Sequence, residues 1–114
     1  MPPPSQLAIA TSSVSRLLKE EGSYHKELAD QEVQVAKLEE SIKNGGDNED
    51  GNAEFMLKQN KIALEQTKAV FGPLRERINA AVIKLEDQIG LAEEAGGAEG
   101  LDNARKVLEE AKAS

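Results

Sequence analysis

The sequence predicts an all-α fold, an elongated antiparallel bundle of two long helices and one short C-terminal helix, in a single domain over residues 1–114. Apolar side chains recur every seven residues through most of the chain, the spacing that places them on one stripe of an α-helix. Aromatic residues are only 3% of the chain against 39% hydrophobic residues, a balance typical of long packed helices. Two glycine-rich breaks separate three helical stretches.

The first helix is predicted over about residues 5–43. Ser5 is a good N-cap residue, and Gly45-Gly46 provides the stop. The seven-residue register is apolar except at Glu21, and Gly22 follows at a cost of about 1 kcal/mol relative to alanine. The apolar register positions are Leu7, Val14, Leu28, Val35 and Ile42.

The segment 44–52 is rich in glycine, asparagine and acidic residues. If Gly51 takes the glycine position of an EF-hand loop, the first ligand position falls on Gly46, which has no ligand side chain. The calcium-loop pattern therefore fails, and we expect a connection between helices.

The second helix is predicted over about residues 53–95, with a kink at Gly72-Pro73, because proline lacks a backbone donor and clashes with the preceding turn. The register passes through this point in phase, which favours one kinked helix over two helices. It comprises Leu57, Leu64, Phe71, Ile78, Leu85 and Ala92. In the first half of this helix, polar side chains occupy positions where a well-packed core would have leucine. This predicts that the surface packed against it is polar or is supplied by another protein. The polar side chains belong to Asn60, Lys61, Thr67 and Lys68.

The third helix is predicted over about residues 101–113, and a helix of this length must dock to persist. Short turns favour antiparallel neighbours, so this helix should lie along the start of the first helix and the end of the second. The opposite end of the hairpin is then two helices thick, with apolar surface that invites a partner. Phe55 and Phe71 are expected in the core.

Composition excludes several classes of function. The chain has no cysteine, which excludes disulfides and thiolate nucleophiles. Its net charge is −7 without a basic cluster, which argues against nucleic-acid binding. No apolar run approaches the roughly 20 residues of a membrane span. We therefore predict a cytoplasmic protein that binds neither nucleic acid nor membrane.

Catalytic side chains are scarce, and we predict that the protein is not an enzyme. His25 is the one histidine and is expected to be a solvated surface imidazole, with a metal ligand or base as the alternative. Adjacent carboxylates such as Glu20 and Glu21 diverge around the helix and form no acid/base pair. A second, mostly apolar position of the repeat follows each register position by three residues, and Tyr24 occupies it after Glu21. Tyr24 is expected either to pack with its hydroxyl in solvent or to act as an interface anchor.

Several stretches together resemble one family. The sequences VSRLLKEEGSY (14–24), KEL (26–28), DQE (30–32) and VAKL (35–38) are similar to the N-terminal signature of tubulin-binding cofactor A. KQ (58–59), LEQTK (64–68) and PLRERI (73–78) resemble its second helix with the internal proline, and LDNARKVL (101–108) its third. The segment 44–52 and the Pro2-Pro3-Pro4 start depart from the family pattern.

The resemblance implies a three-helix protein that captures β-tubulin during folding, holds it apart from the α subunit and passes it to other tubulin-folding cofactors. It implies action by binding alone, with no nucleotide or metal cofactor, in the cytoplasm and in association with the cytoskeleton.

β-Tubulin is acidic as a family, so overall charge does not steer a chain of net charge −7 toward it. We therefore place the tubulin contact on basic and amphipathic positions in the densest part of the resemblance and in the thin part of helix two. The candidates are Arg16, Lys19, Tyr24, Lys26, Gln31, Lys61, Lys68, Arg75 and Arg77. The alternative is an ordinary solvated face.

Two other classes of protein share part of the pattern. A generic coiled-coil scaffold or dimerisation module would have uninterrupted heptads, against which Pro73 and the short third helix argue. A prefoldin-like holdase would need strand-forming segments between its helices, and the segment 44–52 has none. The sequence leaves monomer and homodimer both open.

Overall fold

The computed structural model describes residues 4–45 and 51–114. It contains three α-helices, α1 (Gln6–Lys43), α2 (Asn52–Glu94) and α3 (Leu101–Ala113), and no strand in the described part of the chain. The all-α prediction of two long helices and a short C-terminal helix is thereby confirmed. Most of the predicted connection, with its rejected calcium pattern, lies at residues 46–50, outside the described residues.

The predicted caps of α1 are present. The Ser5 hydroxyl oxygen accepts a hydrogen bond from the Ala8 amide at 3.1 Å, which satisfies a donor that a helix start leaves free. At the other end Gly45 has φ 72°, and its amide donates to the Ile42 carbonyl at 3.2 Å. A glycine ends the helix here because this left-handed backbone is strained for residues with a Cβ.

The helix α2 continues through Pro73 as one α-helix, so the prediction of one helix instead of two is confirmed. Proline has no amide hydrogen to donate to the carbonyl four residues earlier, at Ala69. Both residues lie on the exposed side of the helix, where the solvent reduces the cost of the missing hydrogen bond.

The turn between α2 and α3 is built by glycines. The Gly97 amide donates to the Ala92 carbonyl at 2.8 Å, and the Gly96 amide donates to the Glu93 carbonyl at 3.0 Å. This pair of hydrogen bonds, with Gly96 at φ 90°, is a Schellman motif. Gly100, at φ 86°, then caps the start of α3.

Contacts between Cα atoms divide the chain into two compact units. Unit 1 comprises Met1–Glu21 and Pro73–Ser114, and unit 2 is Gly22–Gly72. Each long helix therefore contributes one segment to each unit, while α3 belongs to unit 1. The organisation as a single domain stays a prediction.

Unit 1 has a core shared by all three helices, as predicted for the docking of α3. Apolar side chains from the start of α1, the end of α2 and one face of α3 form one buried cluster. Its members are Leu7, Ala10, Val14, Leu85, Ile89, Ala92, Leu101, Ala104, Val107 and Ala111. Leu74 and Ile78 are also fully buried in this unit. Burial of this many apolar side chains is the main stabilising contribution to a small helical bundle.

Unit 2 contains only segments of α1 and α2, and its core is thinner. Its buried residues in the described chain are Val35, Ala53, Leu64 and Thr67. The Thr67 hydroxyl donates to the Ala63 carbonyl at 3.1 Å, so this buried polar group is satisfied within its own helix. Four large apolar side chains of this unit are exposed, namely Val33, Phe55, Met56 and Ile62.

The prediction that Phe55 belongs to the core is wrong, since this residue is 62% exposed. Phe55 lies two residues before the register position Leu57, and its side chain therefore points away from the packed stripe. Phe71, the other predicted core aromatic, is half-buried.

None of the described helices combines the length and apolar character that crossing a membrane requires.

Candidate functional site

Three aromatic rings meet in unit 2, where the start of its α1 segment lies beside the end of its α2 segment. The Tyr24 and Phe71 rings make an edge contact, with centroids 6.5 Å apart and planes at 79°. The His25 ring stacks on Phe71 at 4.5 Å and 26°. His25 is exposed, as expected, but the stacking was not predicted. Tyr24 is half-buried, so both the packing and the anchor interpretations of this residue stay open.

A polar groove of about 350 Å³ lies along α1 in the same unit. Its lining includes two of the candidate binding residues, Lys26 and Gln31, together with Asn60 of α2, and it is completed by Ser23, Glu27, Asp30 and Gln34. The structure thus brings Lys26 and Gln31 onto one surface.

Gln31 has an unusual environment within this groove. Its side-chain carbonyl oxygen is buried and has no hydrogen-bond partner among the described residues. Asn60 is not that partner, since its side-chain amide donates to the Met56 carbonyl at 2.9 Å. Buried polar atoms are nearly always hydrogen-bonded in folded proteins, so Gln31 is a weak point of the unit 2 packing.

An apolar groove of about 680 Å³ runs along α2 in the same unit. Leu57, Ile62 and Ala69 supply apolar surface, and charged side chains border it. The remaining lining residues are Glu54, Lys58, Lys61, Glu65 and Gln66. Ile62 is 44% exposed, so this groove offers apolar area to a partner without any rearrangement.

The lysines of unit 2 are held only weakly. The Lys61 ammonium lies 3.9 Å from a Glu39 carboxylate oxygen, and that of Lys68 lies 3.4 Å from Glu65. Half or more of each of these side chains is exposed, and exposed ion pairs contribute little to stability. Lys26 is exposed and has no ion-pair partner among the described residues. These cations can therefore turn toward a partner at small cost.

The other four candidates lie in unit 1. Arg16 and Lys19 are exposed on α1 and have no ion-pair partner in the described part of the chain. The Arg77 guanidinium lies 3.4 Å from a Glu20 carboxylate oxygen in a largely exposed pair.

Arg75, in contrast, makes hydrogen bonds within unit 1. One guanidinium nitrogen, Nη2, donates to both carboxylate oxygens of Glu21, at 3.1 Å and 2.9 Å, and lies 3.3 Å from the Ser114 hydroxyl. Glu21 is only 7% exposed, so this pair is one of the few buried polar contacts of unit 1. Sequence reasoning missed it, although a lone carboxylate in an apolar register is the signal that could have pointed to it.

Metal chemistry finds no support in the described residues, where no group of three histidine, cysteine or acidic side chains could hold an ion. These surfaces offer apolar area, aromatic rings, amides and exposed cations, which are groups through which proteins recognise one another.

Comparison with known proteins shows which family the sequence matches. The family model for tubulin binding cofactor A matches residues 2–108. The chain is 34% identical over 110 residues to the tubulin-specific chaperone A of Saccharomyces cerevisiae, a match that covers 96% of this chain and 92% of that protein. No solved structure gives a significant match.

Proposed function

Because the chain belongs to the tubulin binding cofactor A family, we propose that it is a tubulin-folding chaperone that binds β-tubulin and holds the folding intermediate before the αβ heterodimer assembles. The observation that carries the proposal is the extent of the family match, which reaches from residue 2 to residue 108 and so includes nearly all of the three helices. The protein acts by occupying a surface of its client, and no bond is made or broken.

Unit 2 is the part of the chain that best suits a client. Its apolar groove and the exposed Phe55, Met56 and Ile62 offer surface whose burial drives association. Such exposed apolar patches on a small protein frequently mark interaction sites. The polar groove with Lys26 and Gln31 supplies hydrogen-bonding groups that fix orientation.

Local cations, and not net charge, select the client. The whole chain carries −7, so an acidic client is repelled at long range. At short range the ammonium groups of Lys26, Lys61 and Lys68 can exchange weak internal contacts for carboxylates of the client. Arg16 and Lys19 are equally accessible candidates in unit 1, whereas Arg75 would first have to leave the buried Glu21.

The same proposal includes transfer of the client to other tubulin-folding cofactors, and a cytoplasmic, cytoskeleton-associated location. These follow from the role of holding a folding intermediate for a later assembly step.

The first test is capture of separately prepared β-tubulin and α-tubulin by the tagged protein in moderate salt. We expect β-tubulin to be retained and α-tubulin to pass through. Equal retention of both subunits would contradict the selectivity, and retention of neither would contradict the proposed function.

The second test reverses three charges in unit 2, with Lys26→Glu, Lys61→Glu and Lys68→Glu in one variant. We expect a loss of β-tubulin binding of about 100-fold, since close charge pairs across an interface each contribute on the order of 1 kcal/mol or more.

The matched control reverses three exposed lysines of unit 1, Lys84, Lys106 and Lys112, and changes the net charge by the same amount. Equal weakening in both variants would show that net charge, and not the unit 2 surface, governs binding.

The alternative partner for the exposed apolar residues of unit 2 is a second copy of this chain. The protein would then be a homodimer, as in the class of dimerisation modules. Light scattering distinguishes the two, because a dimer has twice the 12.3 kDa mass of the chain. We expect β-tubulin to compete with self-association if both use this surface.

A further inference from the structure

We propose that unit 2 opens as a separate cooperative segment while unit 1 remains folded, and that Gly22, Gly72 and Pro73 set the limits of the opening. This property concerns the chain alone and does not depend on the identity of any client.

The distribution of buried side chains is the first support. In unit 1, three helices share a ten-residue apolar cluster, and Leu74 and Ile78 of the same unit are also fully buried. In unit 2 two helical segments bury few apolar side chains of the described chain, and one of its polar atoms, the Gln31 oxygen, lacks a partner there. Since local stability follows buried apolar contact, the two units differ in the free energy needed to open them.

On α1, the residue at the boundary of the opening segment is one that favours a helix end. Gly22 is the first residue of unit 2, and in the intact helix it costs stability because glycine is a poor helix former. When residues after it unfold, Gly22 occupies the position just beyond the new helix end. Glycine is the preferred residue at that position.

On α2, the residues at the boundary of the opening segment favour the start of a helix. Pro73 is the first α2 residue of unit 1, and inside the intact helix it withholds one hydrogen bond. When the preceding residues unfold, Pro73 becomes the first residue of the remaining helix, where its missing donor and fixed φ are favourable. Gly72 then takes the N-cap position, which glycine tolerates.

A buried ion pair joins the α1 and α2 segments of unit 1 next to these boundary residues. Glu21 is the last α1 residue of this unit, and Arg75 is the third of its α2 residues. Their hydrogen bonds of 3.1 and 2.9 Å join the two helix ends that remain when unit 2 opens. Unit 1 therefore has helix ends, a core and a closing contact without residues 22–72.

Hydrogen exchange of backbone amides on the full chain tests the proposal. We expect the amides of residues 26–43 and 56–72 to exchange with one common opening constant, about tenfold or more faster than the protected amides of unit 1. Individual rates that grade smoothly along the helices would overturn the proposal of a cooperative segment.

Two matched variants test the limit on α1. Gly22 and Gly90 are both exposed helical glycines, and a Cβ added to either meets nothing within 4 Å. Gly22→Ala should slow exchange of the unit 2 amides about fivefold, since alanine favours the closed helix by the glycine penalty. Gly90→Ala, inside unit 1, should slow the unit 1 amides by a similar factor and leave the unit 2 amides unchanged.

A chain that opens only as a whole gives a different pattern. Gly90→Ala would then slow the amides of both units equally, and this result would overturn the proposal. Unit 2 amides that exchange faster but do not respond to Gly22→Ala would overturn the assignment of the limit on α1.

Discussion

Removal of the Arg75 side chain is the perturbation with the most specific expected result. Glu21 is 7% exposed, and both of its carboxylate oxygens accept hydrogen bonds from Arg75 Nη2. Arg75→Ala leaves this carboxylate buried without its partner. Loss of one member of a buried pair costs about 3–5 kcal/mol. Because the Arg75 side chain is 36% exposed and water can reach the gap, we expect the low end, about 3 kcal/mol.

Replacement of the other partner should behave differently. Glu21 occupies a position of the apolar register, so Glu21→Leu places an apolar side chain where the pattern favours one. The guanidinium of Arg75 is partly exposed and can turn to solvent. We expect a change within about 1 kcal/mol, as for other buried pairs replaced by apolar residues. In the Glu21→Leu background, Arg75→Ala should then cost under about 1 kcal/mol of unfolding free energy, which gives a coupling energy between the two side chains of at least about 2 kcal/mol.

Urea unfolding followed by circular dichroism at neutral pH measures these free energies, and amide exchange in α3 reports on unit 1 alone. An Arg75→Ala cost below about 1 kcal/mol would refute the reasoning, as would Glu21→Leu being the more damaging of the two. Either result would mean that the carboxylate is solvated in spite of its position.

Two further predictions concern unit 2. Ile62→Ser should weaken β-tubulin capture about tenfold, because Ile62 lines the apolar groove and central apolar side chains carry much of the binding energy. Ile83→Ser is the control, since Ile83 is exposed to 60% but lies in unit 1, and an equal loss in a capture titration would contradict the location of the surface. Gln31→Leu should raise the free energy of unfolding by about 1 kcal/mol, since it removes a buried oxygen that has no hydrogen-bond partner among the described residues. A lower stability in urea unfolding would show that this oxygen is satisfied in solution.

The helices and their ends were predictable from the sequence because local signals are strong there. The seven-residue register and the glycines at positions 45, 96 and 97 act through the backbone of their own segment. Ser5 is a similar case, since its cap hydrogen bond joins residues only three apart. Such features require no knowledge of what packs against the helix.

Features that depend on a partner across the chain were not predictable in the same way. The partner of Glu21 is 54 residues away in sequence. The apolar register around Glu21 indicates that its carboxylate needs a partner, but nothing local to Glu21 identifies that partner as Arg75. Phe55 is exposed, contrary to the prediction, because its offset of two residues from Leu57 turns its side chain to the exposed face of the helix. Stacking of His25 on Phe71 likewise requires the alignment of two helices, which periodicity alone leaves undetermined.

For the candidate binding residues, too, some features follow from the local sequence and others depend on contacts between helices. Their exposure follows from helix geometry, and the cations among them are exposed or paired at the surface, with Arg75 the exception. Which of them share a surface depends on the contacts between α1 and α2. The structure places Lys26 and Gln31 in one groove and Lys61 in another.

The Glu21–Arg75 contact also bears on how the two long helices find their alignment during folding. A seven-residue repeat permits a slip of one repeat, because each apolar position then meets another apolar position. Lys68 and Val82 stand one repeat to either side of Arg75. A slipped hairpin would set the buried carboxylate against an aliphatic side chain or a flexible ammonium in place of the planar guanidinium that binds both of its oxygens. One charged layer in an otherwise repetitive seam thus discriminates against misaligned hairpins.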